Sequence, residues 1–121
     1  MSRPVHFEIC TEQPAKLAEF YKTVLDWEIA TWDGNQAYWL ARTGEEGSPG
    51  IDGAIMHNHF PQAVINTIEV ASLEEALQKV EANGGRKVHG PNEIPDIGLH
   101  VYCEDPEGII FGLIQAFQRD V

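Results

Sequence analysis

His6 and Glu8 stand two residues apart where Val5, Phe7 and Ile9 alternate with His6, Glu8 and Cys10. That is the period of a strand, so the imidazole and the carboxylate share one face. Facing a cavity, such a pair can bind a ligand or transfer a proton. Facing the interior, it only satisfies two polar groups. His100 and Tyr102 repeat the spacing and read the same two ways, as a second ligand-facing pair or as ordinary residues of a strand. Tyr38 and Trp39 are adjacent and must face opposite sides. One of them lines any cavity and offers a ring for stacking, and the alternative is a core aromatic. Trp27 and Trp32 read as core or interface. The pocket candidates are therefore His6, Glu8, Trp39, His100 and Tyr102.

Other residues with reactive chemistry read as surface or structure. His57 and His59 form a His-x-His pair that can hold zinc or nickel adventitiously, but in a linker they read as solvated histidines. Cys10 and Cys103 lack metal-type spacing and read as reduced, half-buried thiols. Glu45-Glu46 sits in a Gly-bordered loop and reads as a solvated tip. The chain has no glycine-rich phosphate loop, nucleophile elbow or Cys-x-x-Cys motif.

The elements that must position these residues come as a repeat. Gly53-Ala54-Ile55-Met56 returns as Gly112-Leu113-Ile114-Gln115, 59 residues later. In each half a strand leads into an amphipathic helix and then three more strands. In the first, Val5–Cys10 is followed by Pro14, which suits a first helical turn because it has no N–H to leave unpaired. Leu17, Phe20, Tyr21, Val24 and Leu25 then fall on one helical face. Strands are expected at 27–32, 36–42 and 50–56, with a turn at Asp33-Gly34-Asn35. In the second half a strand spans 64–70. Ser72 and Glu75 form a capping box, and Gly84-Gly85 ends the helix. A short strand at 86–89, a Pro-rich loop at 90–98, strands at 99–103 and 109–115, and an Asp105-Pro106-Glu107-Gly108 turn complete it. The reading is one α+β domain over 1–121: module one at 1–56, a linker at 57–61 and module two at 62–121. The helices are expected near Pro14–Leu25 and Leu73–Asn83. Each half alone is too small to bury much core, so the halves should pack together, and a cleft between similar halves suits a ligand.

Composition narrows the partners. At 43% apolar and 22% charged residues, the 121-residue chain reads as globular. Eight Lys and Arg against nineteen Asp and Glu give a net charge of −11. No basic cluster is present to neutralise phosphates, which argues against nucleic acid and anionic membranes. No apolar run is long enough to span a bilayer, and Met1-Ser2-Arg3-Pro4 does not open a signal peptide, so the chain is expected to be cytoplasmic.

The order βαβββ-βαβββ resembles the vicinal-oxygen-chelate superfamily of glyoxalase I, extradiol dioxygenases, fosfomycin-resistance enzymes and bleomycin-binding proteins. His6-Phe7-Glu8-Ile9, Phe20-Tyr21-Lys22, Leu25-Asp26-Trp27 and Asp105-Pro106-Glu107-Gly108 carry the likeness, which is nearest to small proteins related to lactoylglutathione lyase. The resemblance implies two modules curling their sheets around a cavity, and a homodimer. It also implies a divalent metal held by one residue from the first and last strand of each module. His6 matches the first such position. Gly53 and Gly112 match the last-strand positions and have no side chain to coordinate with. Ile65, Asn66 or Thr67 matches the remaining one, and none is a histidine. With His6 as the one competent ligand, no metal cofactor is expected, since such sites need about three His, Glu or Asp donors. The two glycines are expected instead to widen the cavity floor or let backbones approach. The expectation is a protein that binds a small organic ligand without metal. The alternative is a lyase, isomerase or dioxygenase with a weak or atypical metal site.

Overall fold

The computed structural model describes residues 1–118. The elements follow the order β1 (Pro4–Thr11), α1 (Pro14–Leu25), β2 (Glu28–Trp32), β3 (Asn35–Arg42), β4 (Gly53–His57), β5 (Val64–Glu69), α2 (Leu73–Ala82), β6 (Arg86–Ile94), β7 (Gly98–Glu104) and β8 (Ile110–Ala116). This is βαβββ twice. The chain separates into two compact units, Val5–Ile65 and a second made of Met1–Pro4 with the chain from Asn66 onward. Among the described residues no helix is long and apolar enough to cross a membrane.

In Val5–Ile65 the strand order is β2-β3-β4-β1, with β1 and β4 parallel and the other neighbours antiparallel. Helix α1 packs over β2, β3 and β4. Pro14 occupies its first turn, and Asp26 closes it in the left-handed conformation with its N–H donating to the Lys22 carbonyl. The helix covers one sheet face, where Ala41 and Ile55 are buried. Paired residues share a face, and Gly53 pairs with both Phe7 and Ala41, so Gly53 lies on this side too. Trp27 links Phe7 to Tyr21, with ring centroids 5.7 and 5.1 Å away, and stacks on the latter.

The second unit has the order β5-β8-β7-β6. Leu73, Val101, Cys103 and Leu113 form its buried cluster, joined by Ala76, Leu77 and Val80 of α2. Two independent bonds tie down the start of α2. The Glu75 N–H donates to Ser72 Oγ (3.2 Å), as the capping motif requires, and the Leu73 N–H donates to Gln115 Oε1 on β8 (2.8 Å). Asn83 is the C-cap of α2 rather than its last residue.

Two strands differ from the sequence reading. Strand β4 begins at Gly53 instead of Gly50, because Thr43 holds the preceding residues in a loop: its N–H donates to Asp52 Oδ1 (2.8 Å) and its hydroxyl to the Ile51 carbonyl (2.7 Å). Strand β6 runs on through the expected Pro-rich loop to Ile94. Pro91 is tolerated there because β6 ends the strand order and its pairing with β7 shifts register between His89 and Asn92.

Gly53 does not widen a cavity. A Cβ built there would sit 2.5 Å from the Phe7 ring, so the glycine seats that ring against the sheet. Gly53→Ala should destabilise the protein by about 1–3 kcal/mol through overpacking. Urea unfolding followed by tryptophan fluorescence checks this, with a lowered midpoint as the expected result.

Candidate functional site

The strand period that places Phe7 under α1 places His6, Glu8 and Cys10 on the helix-free face of the same sheet. Glu8 pairs with Ala54, and Ala54 with Leu40. Cys10 pairs with Met56, and Met56 with Tyr38. Tyr38 thus lies on this face, and Trp39 lies on the other, paired with Ile55. Trp39 donates its indole N–H to the Gln36 carbonyl (2.9 Å). Of the five candidates, His6 and Glu8 come together, and the aromatic side chain between them is Tyr38 and not Trp39.

The geometry of this group is specific. The Tyr38 hydroxyl donates to Glu8 Oε2 at 3.1 Å and lies 3.4 Å from His6 Nε2. Glu8 is only 4% exposed, yet it belongs to a bonded network. The Trp32 ring sits 5.7 Å from the phenol, centroid to centroid, and remains 43% exposed. Burial, the Glu8 charge and the hydrogen bond to Glu8 all push the Tyr38 hydroxyl far above its ordinary pKa, so it stays a phenol. Burial lowers the His6 pKa below 6.5, opposed in part by the charges of Glu8 and Asp52. Burial, and then Glu8, pushes the Cys10 thiol up to about 11, so it is a poor nucleophile at neutral pH. The thiol of Cys103, wholly buried under α2, is likewise raised by its burial.

The second unit carries its own polar group. His100 Nε2 lies 3.1 Å from Thr67 Oγ1, and the His100 ring meets Tyr102 edge-to-face at 4.5 Å. The His100 and Tyr102 pair therefore comes together as a pair. Sequence leaves Ile65, Asn66 and Thr67 as alternatives, and strand pairing removes Asn66, because Ile65 and Thr67 share the face of Gly112. Thr67 pairs with Gly112, and Gly112 with Tyr102, so all three share one face, while Asn66 alternates away from it. Gly112 is not vacant space either. A Cβ there would lie 2.5 Å from Thr67 Oγ1 and 2.6 Å from His100 Nε2, so its lack of a side chain lets the imidazole reach the hydroxyl. Both glycines are filled by neighbouring side chains rather than open as a cavity floor.

Toward the β2 edge of Val5–Ile65, and sharing Leu40 with its helix-free face, an open depression of about 420 Å³ is lined by Lys22, Glu28, Ile29, Ala30, Leu40 and Arg42. Arg42 is already engaged there, with Glu28 at 2.7 Å and Glu45 at 3.1 Å.

The family model of the Glyoxalase/Bleomycin resistance protein/Dioxygenase superfamily matches residues 3–113. The chain belongs to that superfamily. Among solved structures, this superfamily member is similar to a hypothetical protein from Bacillus halodurans C-125, at 13% identity and a TM-score of 0.68, covering 99% of this chain and 98% of that one. It is also similar to methylmalonyl-CoA epimerase from Mycobacterium tuberculosis, at 14% identity, TM-score 0.67, and 95% and 88% coverage. A third is a variant of Streptomyces coelicolor methylmalonyl-CoA epimerase in complex with 2-nitronate-propionyl-CoA, at 12% identity, TM-score 0.68, and 96% and 98% coverage. At such identities these likenesses establish the fold, which is mixed α+β with curled sheets and two helices. No curated protein matches the sequence.

The residues present do not fit the superfamily's divalent metal. Among the described residues no three His, Cys, Asp or Glu side chains stand together as a metal-binding group. A side chain at position 53 would point at Phe7, away from the face of His6, and the β4 residue paired with Glu8 is Ala54. A closed set of three or more donors is what such an ion requires.

Two outcomes follow from this geometry. An unfolded histidine takes its proton near pH 6.5, whereas folded His6 takes it only at lower pH. Its contribution to stability is therefore intact above 6.5 and declines as pH falls from there toward the folded pKa. His6→Gln should flatten that part of the stability–pH curve, and Glu8→Gln should lower the His6 pKa further, both read by denaturation series and by NMR titration of the His6 ring. Gly112→Ala should push the His100 ring off Thr67 and cost about 1 kcal/mol for the lost bond. A shift of the His100 ring resonances at unchanged secondary structure is the expected signature.

Proposed function

We propose that this superfamily member binds a small organic ligand without a divalent metal, on the helix-free face that carries His6, Tyr38 and Glu8. One observation carries this reading: the imidazole and the buried carboxylate are both turned onto the Tyr38 hydroxyl, at 3.4 and 3.1 Å, rather than arranged as converging metal donors. Apolar and aromatic surface surrounds them. Trp32 and Leu40, 43% and 44% exposed, flank the polar group, over a floor of buried Ala54 and Met56. A few placed polar groups in apolar surroundings suit a small ligand. His100, Tyr102 and Thr67 supply a second such group in their own unit.

A second reading, an enzyme that moves a proton, is favoured by the same contacts, because a neutral imidazole joined through a phenol to a carboxylate is a proton path. The related epimerase structures suggest an acyl-CoA as its substrate. The charge of −11, with only eight Lys and Arg, speaks against a ligand carrying several phosphates. The chain acts in the cytoplasm as a homodimer, supported by exposed Phe20, Val24 and Leu25 on α1, which a second copy would cover.

Calorimetric titration of metal-stripped protein with Ni²⁺, Zn²⁺ and Mn²⁺ tests the metal-free reading, using a His57→Ala/His59→Ala background to remove the surface pair. Weak or no binding is expected. Tight one-to-one binding that survives that background and disappears in His6→Ala overturns it. In parallel, a thermal-shift panel of small aromatic compounds should give at least one concentration-dependent rise in Tm, as binding to the native state requires. That rise should be lost in Tyr38→Phe.

A further inference from the structure

Counting donors and acceptors along the His6–Tyr38–Glu8 contacts says what kind of ligand this face takes. A phenol has one proton to give. Here it goes to Glu8 Oε2 at 3.1 Å, because a carboxylate is the stronger acceptor. The Tyr38 oxygen is then left with lone pairs and can only accept. The atom of His6 nearest to it is Nε2, at 3.4 Å. Two lone pairs facing each other would repel, so Nε2 carries the imidazole proton and donates to the phenol oxygen. The bonds then run in one direction, from His6 Nε2–H to Tyr38 O–H to Glu8. In a neutral imidazole the other nitrogen must carry the lone pair, so Nδ1 of His6 is an acceptor. Lowering of the His6 pKa by burial agrees with a neutral ring.

The groups around Tyr38 that could meet a ligand are therefore electron-rich, while the Arg42 guanidinium farther along this face is held by Glu28 and Glu45. Those around Tyr38 are a carboxylate behind the phenol, an imidazole lone pair, and the exposed Trp32 ring 5.7 Å from Tyr38. The field of a chain with charge −11 points the same way. Deepening the binding function proposed above, and resting on it, the structure assigns this face to organic amines in their ammonium form. The N–H group would donate to His6 Nδ1, and the cationic end would lie by the Trp32 and Tyr38 rings. A carboxylate of the same shape would set one acceptor against another and be refused.

The first test needs neither a variant nor a ligand. The ¹⁵N shifts of the His6 ring distinguish a protonated nitrogen from a lone-pair nitrogen, and Nε2 should be the protonated one at neutral pH. The second compares benzylamine with benzoate, probes of matched shape and opposite charge, by tryptophan fluorescence and amide NMR on the intact protein. Benzylamine should shift signals around Trp32 and Tyr38, benzoate should not, and Tyr38→Phe, which removes the hydroxyl that fixes the His6 tautomer, should weaken benzylamine about tenfold. His6→Ala, shown to be folded by circular dichroism, should abolish the selectivity. A proton on Nδ1 of His6, benzoate binding as well as benzylamine, or benzylamine binding unchanged by Tyr38→Phe each overturns the assignment. If neither probe binds while another compound in the thermal-shift panel does, the ammonium assignment falls and the broader binding function stands.

Discussion

Within each unit, one helix covers only one face of its four strands. The strand period of two then sorts every side chain into one of two environments. In Val5–Ile65 the covered face takes Phe7, Ala41, Gly53 and Ile55 beneath α1, and the same backbone turns His6, Glu8 and Cys10 to the other side. In the second unit the covered face takes Val101, Cys103 and Leu113, leaving Thr67, His100, Tyr102 and Gly112 opposite. A slip of one residue in any strand would bury the polar set and expose the apolar one, so core and site are specified by the same register.

That sorting also explains the glycines. Both occupy last-strand positions that align in sequence, and both are there because a neighbouring ring needs the space. The rings differ in kind and in face. Phe7 lies over Gly53 in the apolar layer, and His100 lies over Gly112 in the polar one. A repeat read by residue identity equates the two positions, while the pleat places them in opposite environments.

The polar group of the first unit is a solution to burial. A carboxylate at 4% exposure is costly unless it is hydrogen-bonded, and Tyr38 supplies the donor across β4 from β3. The arrangement turns His6 Nε2 and Glu8 Oε2 onto the same Tyr38 hydroxyl.

Much of this architecture was legible in the sequence because it depends on local pattern. The 3.6-residue spacing of Leu17, Phe20, Tyr21, Val24 and Leu25 behind Pro14 placed α1 to the residue, and Ser72 with Glu75 placed the start of α2. Alternation in β1 put His6 and Glu8 on one face. The tertiary structure decided whatever depends on pairing between distant strands. Tyr38 and Trp39 are equivalent as neighbours in sequence, and only the register of β3 on β4, and of β4 on β1, turns Tyr38 toward Glu8. Of Ile65, Asn66 and Thr67, only Asn66 is turned away from the Gly112 face, and the pairing of β5 with β8 decides that. The long β6 was hidden because Pro91 is a strand breaker everywhere except at a sheet edge or bulge, and edge position is a property of topology. Local pattern can say which residues share a strand face. Which residues from separate strands meet on that face is set by hydrogen-bond register, which exists only once the chain has folded.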